Sequence, residues 1–90
     1  MTSVVDQVDV SVLVPAKDEA QNLPEFLKLC RDALATAGFS FEVVIVDDGS
    51  RDPTPAVLQD LRTQYSFLRT VTHRRQRGIA EALRTGADVA

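Results

Sequence analysis

The chain has one cysteine, Cys30. That excludes an internal disulfide and a cysteine-built zinc cluster. Cys30 falls on the apolar side of a predicted helix, which fits a buried structural thiol better than a nucleophile. No apolar run approaches the roughly 20 residues that span a bilayer. The N-terminus, Met1-Thr2-Ser3-Val4-Val5-Asp6, lacks the basic start and apolar core of a signal peptide. These absences predict a cytoplasmic chain, with any membrane association supplied by parts outside it. Residues 1–7 read as a flexible lead-in. Glycine and proline are scarce, four of each, and 44% of the residues are hydrophobic, so the chain reads as globular and not disordered. A net charge of −3 is mild and gives no reason to expect nucleic acid as a partner. Ninety residues allow one small domain with a modest core.

Several functional signatures are missing too. There is no GxxxxGKS/T phosphate loop, no GxGxxG after the first strand, and no GxSxG elbow. An acidic pair after an apolar strand also occurs in response-regulator receivers. Here the pair follows the second strand, and the third ends Thr72-His73-Arg74 with no acid, so that reading fails. His73 has no metal partner in the sequence and reads as incidental.

What is present alternates strand and helix three times. The first strand covers about 8–15, and its apolar residues from Val10 to Val14 are interrupted only by Ser11. Such a run suits a parallel strand covered on both faces. A helix follows, with Asn22 as N-cap, Pro24 and Glu25 in its first turn, and Gly38 as its end. Leu23, Phe26, Leu27, Cys30, Leu34 and Ala37 make its apolar stripe. The second strand covers about 41–47. Asp52 then caps a second helix, with Pro53 in its first turn and Val57, Leu58, Leu61 and Tyr65 on its buried side. A third strand covers about 67–72 and is the least apolar, as suits a sheet edge. The last helix begins near Gly78 or Ile79, with Ile79, Ala82 and Leu83 on one side. Units of this length give right-handed crossovers. The expected fold is therefore α/β, a Rossmann-like three-layer α/β/α arrangement with parallel strands in spatial order 3-2-1.

Three polar segments fall at the strand ends, where open parallel sheets bind ligands. Asp47-Asp48-Gly49-Ser50 is the sharpest. A carboxylate there can accept hydrogen bonds from a base N–H, a ribose hydroxyl or a metal-bound water, and Gly49 lets the backbone turn tightly. A turn selected for its own chemistry explains one of the two acids equally well, though it does not need both. Pro15-Ala16-Lys17-Asp18-Glu19 is the second, with helix-dipole complementarity as the alternative role for Glu19. Arg74-Arg75-Gln76-Arg77-Gly78 is the third, suited to phosphate or simply to a solvated loop. Charge is divided along the chain. Residues 1–50 hold nine acids and three bases, and residues 51–90 hold four acids and seven bases. The two halves could face one anionic, metal-carrying ligand.

Taken together, the segments resemble the N-terminal part of family 2 glycosyltransferases of the GT-A fold. The resemblance runs through Val12 to Leu23, Glu42 to Asp52 and Arg77 to Gly86, and spans roughly residues 8–90. Within that family the polyprenyl- or dolichyl-phosphate sugar transferases are nearest. The resemblance implies that Pro15, Lys17 and Glu19 line a nucleotide pocket. It implies that Asp48 contacts the base or ribose with Asp47 beside it, and that Arg74, Arg77 and Gly78 lie near the nucleotide. Asp18 stands where the family often has Asn, and Gln76-Arg77-Gly78 departs from its Asn-x-Gly spacing. The implied cofactor is a divalent metal, Mg or Mn. Its D-x-D ligands, the acceptor site and the catalytic base would follow later in a full-length member, so the chain reads as one partial GT-A domain over 1–90, with no catalytic residue assigned. The implied partners are a nucleoside diphosphate-sugar and a lipid-phosphate or glycan acceptor. Self-association through an exposed sheet edge is a further expectation. The alternative reading is a non-catalytic nucleotide-binding or interaction module of the same fold.

Overall fold

The computed structural model describes residues 8–90, so the lead-in expected over 1–7 lies outside the described residues. Six elements alternate: β1 (Val10–Ala16), α1 (Leu23–Ala37), β2 (Phe41–Asp48), α2 (Thr54–Gln64), β3 (Leu68–His73) and α3 (Ile79–Val89). The strands form one parallel sheet in the order β1-β2-β3. Val10 lies opposite Phe41 and Ala16 opposite Asp47, while Val43 lies opposite Leu68 and Asp48 opposite His73. This is the expected three-layer α/β fold.

The period of two along β2 divides the core. Val43 and Ile45 face one side and pack with Leu23 and Leu27 of α1 and with Leu58 and Leu61 of α2. Val44 and Val46 face the other side, where α3 crosses β1 and β2. α3 docks through Ala82 and Gly86, its two buried residues, and Gly86 sits against Val46 and Leu13. Small residues at the crossing let the helix approach the sheet. The expected contact face of Ile79, Ala82 and Leu83 is corrected accordingly: Ile79 is 70% exposed and Leu83 40% exposed, flanking the contact.

Other boundaries shift for identifiable reasons. β1 begins at Val10, and Pro15 does not end it, because Pro15 keeps its register opposite Val46 and the strand runs to Ala16. Proline is tolerated there because β1 is an edge strand. For the same reason β1 is not covered as a central strand would be, and Val12, Leu13 and Val14 are only half-buried. Asn22 occupies the N-cap position of α1 without capping it. Its side-chain amide instead donates to Glu19 Oε2 at 2.8 Å. Gly38 ends α1 as expected, with φ 81° and its N–H donating to the Ala35 carbonyl. Cys30 is half-buried, not buried, and that burial pushes its thiol pKa up. At α2, Pro53 is the N-cap residue and Pro55 lies in the first turn. Asp52, one residue earlier, accepts the N–H of Thr54 at 2.9 Å and also its hydroxyl. Tyr65 lies past the helix in extended backbone, and Phe67 precedes β3. Phe67 packs between Tyr65 and Phe41 at tilted angles, with ring centroids 5.1 and 4.8 Å away.

Candidate functional site

The three strand-to-helix loops meet at the C-terminal edge of the sheet and are tied to one another by side chains. Asp18 and the 50–54 turn exchange most of the bonds. The Asp18 carboxylate accepts the N–H groups of Arg51 (2.8 Å) and Asp52 (3.2 Å), and its own N–H donates to Ser50 Oγ (2.9 Å). Glu19 N–H donates to Thr54 Oγ1 at 3.0 Å, and Ala20 N–H to Asp52 Oδ2 at 3.3 Å. Asp18 adopts φ 56°, a left-handed backbone that short polar side chains tolerate. Thr54 is fully buried at the centre of this arrangement. These bonds hold the Asp52 carboxyl below its usual range, first through the Thr54 hydroxyl.

The acidic pair divides its duties by strand alternation. Asp47 is fully enclosed on the α1/α2 side. Its Oδ1 accepts Ser50 N–H at 3.1 Å and closes the turn, while Oδ2 is buried without a partner among the described residues. Asp48 is 5% exposed and takes three donors. Its Oδ1 accepts Arg77 N–H at 2.8 Å and lies 2.9 Å from His73 Nδ1, and its Oδ2 accepts Gly78 N–H at 2.9 Å. These donors, His73 foremost, hold the Asp48 carboxyl below the ordinary carboxylate range against the opposing effect of burial. The other nitrogen of His73 is 2.9 Å from Thr85 Oγ1 on α3. His73 is thus not incidental. It is 5% exposed and joins β2, β3 and α3.

Pro15, Lys17, Glu19 and Asp48 line one cleft of about 290 Å³, together with Ala16, Gln76 and Ile79. Lys17 Nζ donates to Gln76 Oε1 at 2.8 Å across it. A second cleft of about 240 Å³ lies along β1 against α1 and shares Pro15, Ala16 and Glu19 with the first. Asp47 is fully buried and lines neither cleft. Arg74 and Arg77 have exposed side chains outside it, and Arg77 and Gly78 contribute backbone N–H groups to Asp48. Gln76, His73 and Thr85 were not singled out by the sequence. Their signal is purely tertiary, because their partners lie 12 to 59 residues away.

The residues present do not fit a divalent metal by themselves. Asp48 already accepts three donors and keeps a single acceptor position, and Asp47 is enclosed. Among the described residues no group of three or more His, Cys, Asp or Glu is placed to hold a metal ion. Nor, among them, is any helix long and apolar enough to cross a membrane.

Known proteins are similar to this chain in sequence and in fold. Residues 11–90 match the model of glycosyl transferase family 2. An undecaprenyl-phosphate 4-deoxy-4-formamido-L-arabinose transferase of Pseudomonas savastanoi pv. phaseolicola is 37% identical over 67 residues, covering 72% of this chain and 20% of that protein. The enzyme of the same name from Pseudomonas paraeruginosa is 46% identical over 50 residues, 56% of this chain and 15% of its own length. Among solved structures, the mannosyltransferase PcManGT from Pyrobaculum calidifontis, in complex with GDP-Man and Mn2+, superposes with a TM-score of 0.75 at 30% identity. That match covers 93% of this chain and 25% of the mannosyltransferase. The chain therefore spans a quarter or less of each of these relatives, and it belongs to glycosyl transferase family 2.

Proposed function

We propose that this chain forms the donor-nucleotide-binding part of a glycosyltransferase that moves a sugar from a nucleoside diphosphate to an acceptor. The observation that carries the reading is the cleft at the ends of β1 and β2. There Asp48 is held ionised, with both donors on Oδ1 accounted for and one acceptor position left on Oδ2. A base or ribose donor is the group that such a position takes, while Pro15 and Ile79 offer apolar surface to a ring. Lys17 supplies a positive charge at the same opening. The complex of the structural relative contains a nucleotide sugar and Mn2+. In this chain's own enzyme a metal would draw its ligands from outside residues 8–90, and Arg74 and Arg77 would lie at the nucleotide's approach. The names of the undecaprenyl-phosphate transferases support a lipid phosphate as the acceptor of the whole enzyme, and with it a reaction at a membrane surface.

Two measurements test this. Titration of the 15N-labelled chain with UDP and with GDP, with and without Mn2+, is expected to move the amides of Ala16, Lys17, Asp48 and Gln76 at millimolar nucleotide. Asp48→Ala is expected to abolish those shifts. Shifts scattered over the surface, or surviving Asp48→Ala, overturn the assignment of the cleft. The chain alone is expected to transfer no sugar, because the described residues offer no metal set. Turnover above a buffer blank that disappears in Asp48→Ala would show that these residues suffice.

A further inference from the structure

We propose that His73 is a positioning residue of the cleft: it locks the Asp48 carboxylate in place, and through it the 74–78 loop that forms the cleft's third wall. The inference rests on the nucleotide reading above for its functional consequence, and on geometry alone for its structural one.

Three observations converge. First, His73 is a buried polar side chain whose two ring nitrogens both have partners on other elements, Asp48 at the end of β2 and Thr85 on α3. With Asp48 ionised, Nδ1 carries the proton that is donated to Oδ1, and in the neutral ring Nε2 accepts the Thr85 hydroxyl. That fixes ring orientation and tautomer together. Second, the same carboxylate is the only described acceptor for the N–H groups of both Arg77 and Gly78. The loop reaches α3 through these two amides, and Gly78 has φ 96° at the helix entrance. Third, there is no slack between this loop and the acidic turn. A Cβ on Gly49 would come within 2.5 Å of Gln76 N and 2.7 Å of the Arg75 carbonyl carbon. A carboxylate turned away from this position would leave both amides without their acceptor, and Gln76, whose side chain accepts from Lys17 across the opening, is the residue just before them in the same loop. A buried carboxylate surrounded by neutral donors has few ways to be held so closely. The imidazole supplies the one bond that comes from a side chain and is braced from behind.

The test separates a locking role from simple core filling. His73→Asn keeps a donor near the position of Nδ1, whereas His73→Gln carries its amide near Nε2, and His73→Phe keeps the ring shape with neither. In the wild-type chain, at a pH where the ring 15N signals show a single protonated nitrogen, that nitrogen is expected to be Nδ1. Amide exchange at Arg77 and Gly78, referenced to Val44 and Ile45 in β2, is expected to accelerate at least tenfold in His73→Phe and His73→Gln and to return towards wild type in His73→Asn. The nucleotide-induced shifts at Lys17 and Gln76 are expected to follow the same order. An Nε2–H tautomer in the wild type, unchanged protection in His73→Phe, or equal rescue by Gln and Asn overturns the proposal. Should His73→Phe fail to fold, the Asn–Gln comparison and the wild-type tautomer still decide it. A wild-type chain that binds no nucleotide while its exchange data follow the expected order refutes the nucleotide reading and leaves the lock established.

Discussion

At the scale of single residues, space and backbone angle set the cost of a change more than residue type does. Gly38 and Gly49 both adopt left-handed backbone, with φ 81° and 78°. A methyl group on Gly38 meets nothing within 4 Å, while one on Gly49 runs into the backbone of the neighbouring loop. Gly38→Ala should therefore cost about 1 kcal/mol, the conformational part alone. Gly49→Ala should cost at least about 2 kcal/mol, since backbone cannot yield as a flexible side chain can. Urea unfolding midpoints of the two variants compare these directly, and equal losses would show that the loops are not in contact. Asp48 gives a prediction with a sign. Its carboxyl is held below the ordinary range, so its contribution to stability is complete above the unfolded-chain value near pH 4 and is lost as pH falls through the lower folded value. Asp48→Asn should destabilise the chain by about 1.5–3 kcal/mol at neutral pH, and the gap should close in acid. A gap that widens below about pH 4 would contradict the lowered carboxyl. The sequence marked Asp48 because acids and glycine at a strand end make demands on the backbone that are visible locally. It could not mark His73, whose meaning depends on Asp48 and Thr85, 25 and 12 residues away.

At the scale of elements, the pattern of apolar residues reveals the existence of each helix but not how far its stripe is used. Leu27 is fully buried in α1 beneath the sheet, and Leu29, two residues on, is 58% exposed. Leu27→Ala should cost about 2–5 kcal/mol, and Leu29→Ala should fall within about 0.5 kcal/mol of wild type. Chemical denaturation separates them, and similar losses would mean that α1 is rotated on the sheet. The far end of the α1 stripe was legible as apolar but not as contact: Leu34 is half-buried and Ala37 is exposed. α3 makes the point more sharply. Ile79 and Leu83 are its most hydrophobic candidates, yet Ala82 and Gly86 form the contact because the crossing is close. Periodicity ranks residues by hydrophobicity, whereas docking distance selects them by size. The strands and their parallel pairing were readable, though the bounds and the cover of β1 were not. Four consecutive aliphatic residues in β2 can be satisfied only between two covered faces, which marks β2 as the central strand, and strand–helix–strand units make its pairing with both neighbours parallel.

At the scale of the whole molecule, the division of charge along the chain is partly absorbed by structure. Asp18, Asp47, Asp48 and Asp52 each accept loop or turn amides, while Arg74 and Arg77 remain exposed. What stays unbalanced is the sheet. β1 pairs with β2 on one side, and no described strand lies on the other. Val12 and Val14 on the α1 face of β1 and Leu13 on its α3 face are all only half-buried, and the second cleft opens beside Val14 against α1. An apolar edge strand of this kind templates pairing with another chain. We expect the isolated chain to self-associate through β1. Ser11 is exposed on β1, where its hydroxyl donates to Glu42, and Ser11→Lys adds a charged side chain to the edge strand, which disfavours pairing with another chain and leaves Glu42 with a cationic neighbour besides Arg69. Sedimentation across a concentration series should show association for the wild type and a shift to monomer for Ser11→Lys. Outward-facing amides of β1 should lose exchange protection in that variant. A wild-type chain that stays monomeric over the whole series, with those amides exchanging rapidly, would show that twist and the neighbouring helices shield the edge well enough without a partner.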